Sequence, residues 1–221
     1  MSSRKITADT LRQLDPKKVQ ELFNKLGAVK VDELKHDWNF WGRETQFAPE
    51  GKDWNIWLLN CGRGFGKTRC GAEWVREQVK AGHKRIACVA STNSDIERVM
   101  VNGESGFLNV CWKGDKTHKG KPMGFPLWSP TKRSLTWENG AKVEFYSAEE
   151  PERLRGPQFS AAWCDELAAW NKDIDTWQML QFGLRLGKHP RVCVTTTPKP
   201  TKLIRELLKN PKVVVTTGST F

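Results

Sequence analysis

The chain has 221 residues, with 36 lysines and arginines against 25 aspartates and glutamates, a formal net charge of +11. That length can bury a full hydrophobic core, and the basic excess favours a polyanionic partner while saying nothing about fold. No basic-then-apolar leader opens the chain and no apolar run reaches the ~18 residues of a membrane span. A secreted or membrane-inserted protein is therefore not expected, and the reading is a soluble protein of a reducing cytoplasm. The six cysteines (Cys61, Cys70, Cys88, Cys111, Cys164 and Cys193) form no C-x-x-C pair and share no ligand spacing with the four histidines. Three of them fall in apolar strand-like runs and read as small buried hydrophobes.

Residues 1 to 40 read as a helical appendage. Asp15 and Pro16 fit an N-cap followed by proline at the first helical position, Val19, Leu22, Phe23 and Leu26 repeat at helical spacing, and Gly27 closes the helix. Its apolar face is expected to dock, either on the protein's own core or on a partner. The turn-rich segment from Trp41 to Gly51 then leads to a first strand near Trp54, and the main domain is read as residues 41 to 221. Arg43 and Gln46 lie in this segment. A glutamine amide donates to and accepts from an adenine edge at once, although a solvated glutamine is the commoner outcome.

The apolar run Ile56-Trp57-Leu58-Leu59 precedes Gly62-Arg63-Gly64-Phe65-Gly66-Lys67-Thr68, and a helical pattern follows from Gly71. A strand that turns through glycines into a helix aims backbone N–H groups and the positive helix end at one point, which suits a phosphate. Lys67 can reach the β and γ oxygens, and the Thr68 hydroxyl can hold Mg²⁺. The pattern G-x-x-x-x-G-K-[ST] asks for glycine where the chain has Cys61, which leaves the path of the loop's first residue open. Arg63 has two readings, a guanidinium turned to solvent or a second cation on the γ-phosphate.

The helix is expected to stop near Ala81-Gly82. Arg85 to Ser91 reads as a second buried strand whose apolar residues, Ile86 to Ala90, are continuous as a parallel strand covered on both faces requires, and Asp95 to Met100 reads as a short helix. Strand, helix, strand, helix implies a right-handed parallel crossover sheet. Residues 103 to 133 are the least regular part, with Lys113, Lys116, Lys119, Lys121, Lys132 and Arg133 interleaved with Trp112, Phe125 and Trp128. Such a loop suits nucleic acid and equally suits a solvated basic surface. Leu135 and Trp137, an Asn139-Gly140 turn, then Val143 and Phe145 describe a β-hairpin.

Ser160 to Cys164 is small and apolar and ends in Asp165-Glu166, so a buried strand delivers two acids at its C-terminal edge, where ligands bind in open α/β sheets. Beside the phosphate loop, Asp165 is read as the metal ligand and Glu166 as the group that orients or deprotonates water. Arg191 to Pro198 forms a further strand ending in Thr195, Thr196 and Thr197, whose hydroxyls can sense the γ-phosphate, although β-propensity alone also places them there. A helix over roughly 202–209 and a strand from Val213 follow.

In this order the motifs resemble the N-terminal packaging ATPase domain of the large terminase subunit of tailed bacteriophages. The resemblance is carried by residues 62–68 with Gly71 to Val75, by Tyr146 to Gln158, by Asp165-Glu166 and by Thr195-Thr196-Thr197-Pro198. It implies an α/β P-loop NTPase fold of the additional-strand, catalytic-glutamate type: a mostly parallel central sheet flanked by helices, plus the hairpin and the N-terminal appendage. It implies ATP and Mg²⁺ as cofactors. Nucleotide contacts would come from Arg43, Gln46, Gly62, Arg63, Gly64, Phe65, Gly66, Lys67 and Thr68, and metal contacts from Thr68 and Asp165. Catalysis is expected from Lys67, Glu166 and Arg155, and coupling from Thr195 to Thr197.

The resemblance places Arg63 near the γ-phosphate and makes Arg155 a finger supplied to a neighbouring subunit, against the alternative of an ion pair with Glu149, Glu150 or Glu152. The implied partners are double-stranded DNA, further copies in a homo-oligomeric ring (a pentamer in this family), a portal protein and the small terminase subunit, in the host cytoplasm and away from membranes. Nothing in the chain matches the nuclease domain of such proteins, so it is expected to be an isolated motor domain or a truncated piece without nuclease activity. Two other readings share the same motifs: a helicase, and a DNA-binding protein that ATP only switches.

Overall fold

A computed structural model describes residues 7 to 218, and the chain divides into an N-terminal unit ending at Phe47 and a C-terminal unit starting at Ala48. The N-terminal unit holds α1 (Ala8–Arg12), α2 (Pro16–Lys35) and α3 (Trp38–Trp41), followed by a 3-10 turn over Glu44–Gln46. The Asp15 carboxylate accepts the Lys17 N–H at 2.7 Å and Pro16 stands at the first helical position, as the sequence predicts. Gly27 (φ 75°, ψ 159°) breaks the helix, but the helix resumes beyond it to Lys35. On the helix's apolar stripe Val19 and Phe23 are half-buried, while Leu22 and Leu26 are 40% and 39% exposed.

The C-terminal unit is built on one eight-stranded sheet. In chain order it contains β1 (Ile56–Cys61), α4 (Lys67–Ala81), β2 (Arg85–Ala90), a one-turn α5 (Asn93–Asp95), a π-helix (Ile96–Val101), α6 (Phe107–Val110), β3 (Leu127–Ser129), β4 (Ser134–Thr136) and β5 (Lys142–Ser147). A 3-10 turn (Pro151–Leu154), β6 (Ala161–Cys164), a second 3-10 turn (Leu167–Ala169), α7 (Asp173–Gly183), β7 (Arg191–Thr196), α8 (Lys202–Lys209) and β8 (Val213–Gly218) complete it.

The strand order is β3-β4-β5-β2-β6-β7-β1-β8. Every neighbour pair is parallel except β3 with β4 and β4 with β5. Strand β7 is thus inserted between β1 and β6, with Leu58 and Cys164 both opposite Val194. The loop after β1 and the acids after β6 therefore open on the same edge of the sheet, with the end of β7 between them.

One local expectation needs correction and one element was not foreseen. The segment read as one helix from Asp95 is a single α turn running into the π-helix, where the Asn102 N–H reaches the Glu97 carbonyl five residues back at 2.9 Å. The hairpin around Asn139-Gly140 forms as expected from β4 and β5, and because β5 also pairs parallel with β2 it is the margin of the main sheet. Helix α7 has no counterpart in the sequence reading, because Ile174, Trp177, Met179, Leu180 and Phe182 are spread around its circumference and give no one-sided pattern.

Residues 103 to 133 are less open than their composition suggests. Met123, Phe107 and Cys111 are buried, and the buried Asp115 accepts from Arg76 Nε at 2.6 Å, while Arg76 Nη1 donates to the buried Glu73 at 3.0 Å. This ionic knot ties the loop to α4, and removing one partner of such a buried pair leaves an uncompensated charge. Lys113, Lys116, Lys119, Lys121 and Lys132 remain exposed.

The sheet is covered on both faces. One carries Ile56, Leu58, Ala87, Val89, Val192 and Val194 against Trp177, Leu180, Leu203 and Leu207 of α7 and α8. On the other, α4 packs over β6 and β7. There Gly71 is pressed so closely on the Trp163 indole that a Cβ would overlap the ring. The indole cannot easily move, since it is fully buried and its Nε1 donates to Thr195 Oγ1 at 2.9 Å. Gly71→Ala should therefore destabilise the protein by about 1–3 kcal/mol despite alanine's better helix propensity, seen as a lower midpoint in thermal or urea unfolding.

Candidate functional site

The loop between β1 and α4 has left-handed backbone at Gly64 (φ 76°) and Gly66 (φ 89°), a conformation that side chains disfavour. Gly66 caps the fifteen-residue α4, so the first N–H groups of the helix and its positive end face the cavity that Gly66, Lys67 and Thr68 line. Cys61 closes the loop's base where the common pattern has glycine: its thiol, buried and pushed up in pKa by that burial, donates to the Thr216 carbonyl at 3.4 Å. The Gly62 N–H donates to Gly218 O at 3.0 Å, and the Phe65 ring turns inward against Gly218. The loop is thus seated on the end of β8, and its first residue follows the sheet without a glycine.

Lys67 is the meeting point. Only 7% exposed, its ammonium donates to Gly62 O and Thr197 Oγ1, both at 3.2 Å, and pairs with Glu166 Oε1 at 3.3 Å. Glu166 has φ 47° and ψ 47°, a conformation that costs a non-glycine residue about 1–3 kcal/mol. The carboxylate is held in return by the Thr197 N–H (3.0 Å) and Thr197 Oγ1 (3.3 Å).

Asp165 lies deeper. Burial, opposed by a 2.7 Å hydrogen bond from Thr195 Oγ1 and reinforced by the neighbouring Glu166 charge, pushes its carboxyl up to about 7. Thr195 Oγ1 also accepts from Trp163, and Thr196 Oγ1 accepts the Ala168 N–H at 3.1 Å, which fixes the turn after the acids. Each of the three threonines is thus a support of the acid pair, a connection that no linear pattern reveals.

A cavity of about 480 Å³ opens in front of these groups. Arg63, Gly64, Gly66, Lys67, Thr68 and Glu166 line it together. Its remaining wall, absent from the sequence reading, consists of Arg69 on α4 with Arg98, Val99, Gly103, Glu104 and Ser105. Topology could have found that wall, because whatever follows β2 leaves the sheet at the same edge as the phosphate loop.

Arg155 lies apart from this group. It is 70% exposed, its Nε sits 3.3 Å from Glu152, and it lines a second cavity of about 350 Å³ with Pro157, Met179, Phe182 and Arg185. Arg43 and Gln46 belong to the N-terminal unit, where Gln46 Oε1 accepts the Arg43 N–H at 3.0 Å.

The donor set fits a nucleoside triphosphate with its metal. Among the described residues no group of three or more His, Cys, Asp or Glu could hold an ion by itself. Mg²⁺, however, is ordinarily held by one or two side chains together with phosphate oxygens. Asp165, a buried carboxylate supported by a single hydroxyl, is electrostatically suited to a cation beside it.

A glycine loop after β1, an acid pair after β6 and a strand inserted between them define a P-loop nucleoside-triphosphatase fold of the additional-strand type. Residues 58–211 match the family described as "Terminase large subunit, T4likevirus-type, N-terminal", and the chain belongs to that family. Among solved structures, the large terminase ATPase domain of Thermus phage P74-26 superposes with a TM-score of 0.60 at 13% identity, covering 87% of this chain and 85% of that one. The large terminase of a second thermophilic bacteriophage gives 0.55 at 10% identity, and the complex of that same terminase with ADP gives 0.53 at 12%. In both of the latter comparisons 82% of this chain is covered and 43% of that chain. No curated protein matches the sequence.

The seat on β8 yields a test. A Cβ on Gly218 would stand 2.5 Å from the Phe65 ring, so Gly218→Ala should displace the phosphate loop. Faster hydrogen exchange at residues 62–68 and a melting temperature lower by several degrees are expected. A second change, Phe65→Leu, should restore part of both.

Proposed function

We propose that this domain hydrolyses ATP and that the hydrolysis drives double-stranded DNA into a viral procapsid. The observation that carries the proposal is the meeting of Lys67 and Glu166 at 3.3 Å across the end of β7, which puts a loop cation and an acid from a remote strand around one cavity. Membership of the terminase large-subunit family supports the DNA-packaging part. The exposed lysines between Lys113 and Lys132 offer a basic surface suited to a duplex backbone.

In this proposal the amides of Gly64 to Lys67 donate to phosphate oxygens, Arg63 and Lys67 balance their charge, and Thr68 with Asp165 holds Mg²⁺. Bound ATP supplies a transferable γ-phosphoryl group, and its metal neutralises charge on the phosphate oxygens. Glu166, presented by a strained backbone and held by Thr197, orients water and takes its proton. The threonine series connects the acid pair to β7 and gives a route by which the state of the site reaches the sheet. Arg43 is assigned to nucleotide contact on the family resemblance, and Gln46 on that resemblance and on an amide able to donate to and accept from an adenine edge. Arg155 is assigned to the ATP of an adjacent subunit in a ring, because it is exposed and absent from its own chain's phosphate cavity. The portal and the small terminase subunit complete the assembly, in the host cytoplasm.

Glu166→Ala should lower ATP turnover by about 10²–10⁴ while ATP affinity stays within a few fold, measured by phosphate release and by equilibrium binding. Duplex DNA should raise wild-type turnover and leave the variant unaffected. A wild-type rate in Glu166→Ala removes the role given to that residue.

The Arg155 assignment is tested by mixing. Arg155→Ala and Glu166→Ala proteins, each depressed alone (the former by roughly 10³ to 10⁵), should recover measurable ATPase activity together. Absence of recovery at every mixing ratio places Arg155 in its own chain.

A further inference from the structure

The phosphate cavity is lined, besides the glycine loop, by a cation with no place in the scheme above. Arg98 is exposed on the π-helix and lines the same cavity as Lys67 and Thr68. Among the described residues it makes no hydrogen bond or ion pair, whereas Arg69, Arg76, Arg85, Arg133, Arg153 and Arg155 each stand within 3.3 Å of a carboxylate. Glu104, on the same wall, is not within ion-pair distance of it.

The element that presents Arg98 is a π-helix anchored by buried side chains. Ile96, Met100 and Val101 are buried beneath it, which turns position 98 outward. The turn after the π-helix is pressed against its last carbonyls: a Cβ on Gly106 would lie 2.8 Å from the oxygens of Val99, Met100 and Val101. Asn109 Nδ2 donates to Gly103 O at 2.9 Å and closes the turn. π-helical turns carry poorer hydrogen-bond geometry than α-helix and are concentrated at functional sites. A guanidinium held on such a support, without a carboxylate of its own, matches a phosphate group, whose oxygens accept its planar fork two at a time.

We propose that Arg98 is a further phosphate-binding residue acting within its own chain, gripping the polyphosphate of the nucleoside triphosphate from the side opposite the glycine loop. The inference rests on the nucleotide reading above and extends it: the site has two cationic walls, one from β1 and α4, the other from the π-helix after β2. Because Arg98 is exposed and makes no hydrogen bond or ion pair among the described residues, its removal should affect binding and leave folding unchanged.

The test is equilibrium binding of a fluorescent ATP analogue with Mg²⁺ to wild-type, Arg98→Ala, Arg98→Lys, Glu104→Gln and Lys67→Ala proteins, with melting temperatures taken in parallel. Arg98→Ala should weaken binding about tenfold or more with an unchanged melting temperature, as expected for a charged hydrogen-bonding partner. Arg98→Lys should retain part of the affinity, and Glu104→Gln should bind as well as wild type or better. Wild-type affinity in Arg98→Ala, while Lys67→Ala binds weakly, overturns the Arg98 proposal alone. So does an affinity loss accompanied by a fall of several degrees in melting temperature, or an equal loss in Glu104→Gln. Wild-type affinity in Lys67→Ala overturns the nucleotide reading itself.

Discussion

The contact on which the site depends is the junction of Lys67, Glu166 and Thr197. An ammonium buried at the head of α4 would be costly to desolvate alone, and here it is surrounded by a loop carbonyl, a carboxylate and a hydroxyl from three separate strands' ends. The junction requires β7 to lie between β1 and β6, since Thr197 bridges the two only from that position. Phosphate oxygens are suited to the same cation, so the arrangement holds charge in place for a ligand of opposite sign.

Around this junction the hydroxyls of β7 act as a row of fixed supports. Thr195 relays a hydrogen bond from the Trp163 indole to Asp165, Thr196 holds the turn after the acids, and Thr197 holds Glu166 in a backbone conformation it would not adopt unaided. The same indole occupies the space left by Gly71 on α4. Phosphate loop, helix, indole and Asp165 are consequently one packed unit, joined through Trp163 and Thr195.

Two further anchors join this unit to the periphery. Phe65 and Gly62 seat the loop on the last residues of β8, so the path of the chain at Gly218 is linked to the shape of the loop. On the other side, Arg76 with Glu73 and Asp115 fastens the basic segment after α6 to the phosphate-loop helix. A DNA-facing surface built on that segment would therefore move with α4. The π-helix and the glycine turn after it complete the lining of the cavity.

The features readable from the linear chain are local. The glycine spacing before Lys67, the helix it opens, the apolar runs ending at Asp165 and at Thr196, and the Asn139-Gly140 turn each follow from chain neighbours, because backbone conformation and the burial pattern of a strand are short-range properties. The acid pair was legible as a partner of the loop because a short apolar run ends in it, and parallel strands deliver their C-terminal residues to one edge of the sheet. Tertiary structure alone decided the strand order that brings Lys67 to Glu166, and the supporting role of each threonine. It alone also decided the second wall at Arg98 and the extension of the main sheet by β3 and β4. Those depend on which residues meet across long stretches of intervening chain. α7 escaped notice for a related reason: its apolar residues are satisfied by neighbours that the linear order does not announce.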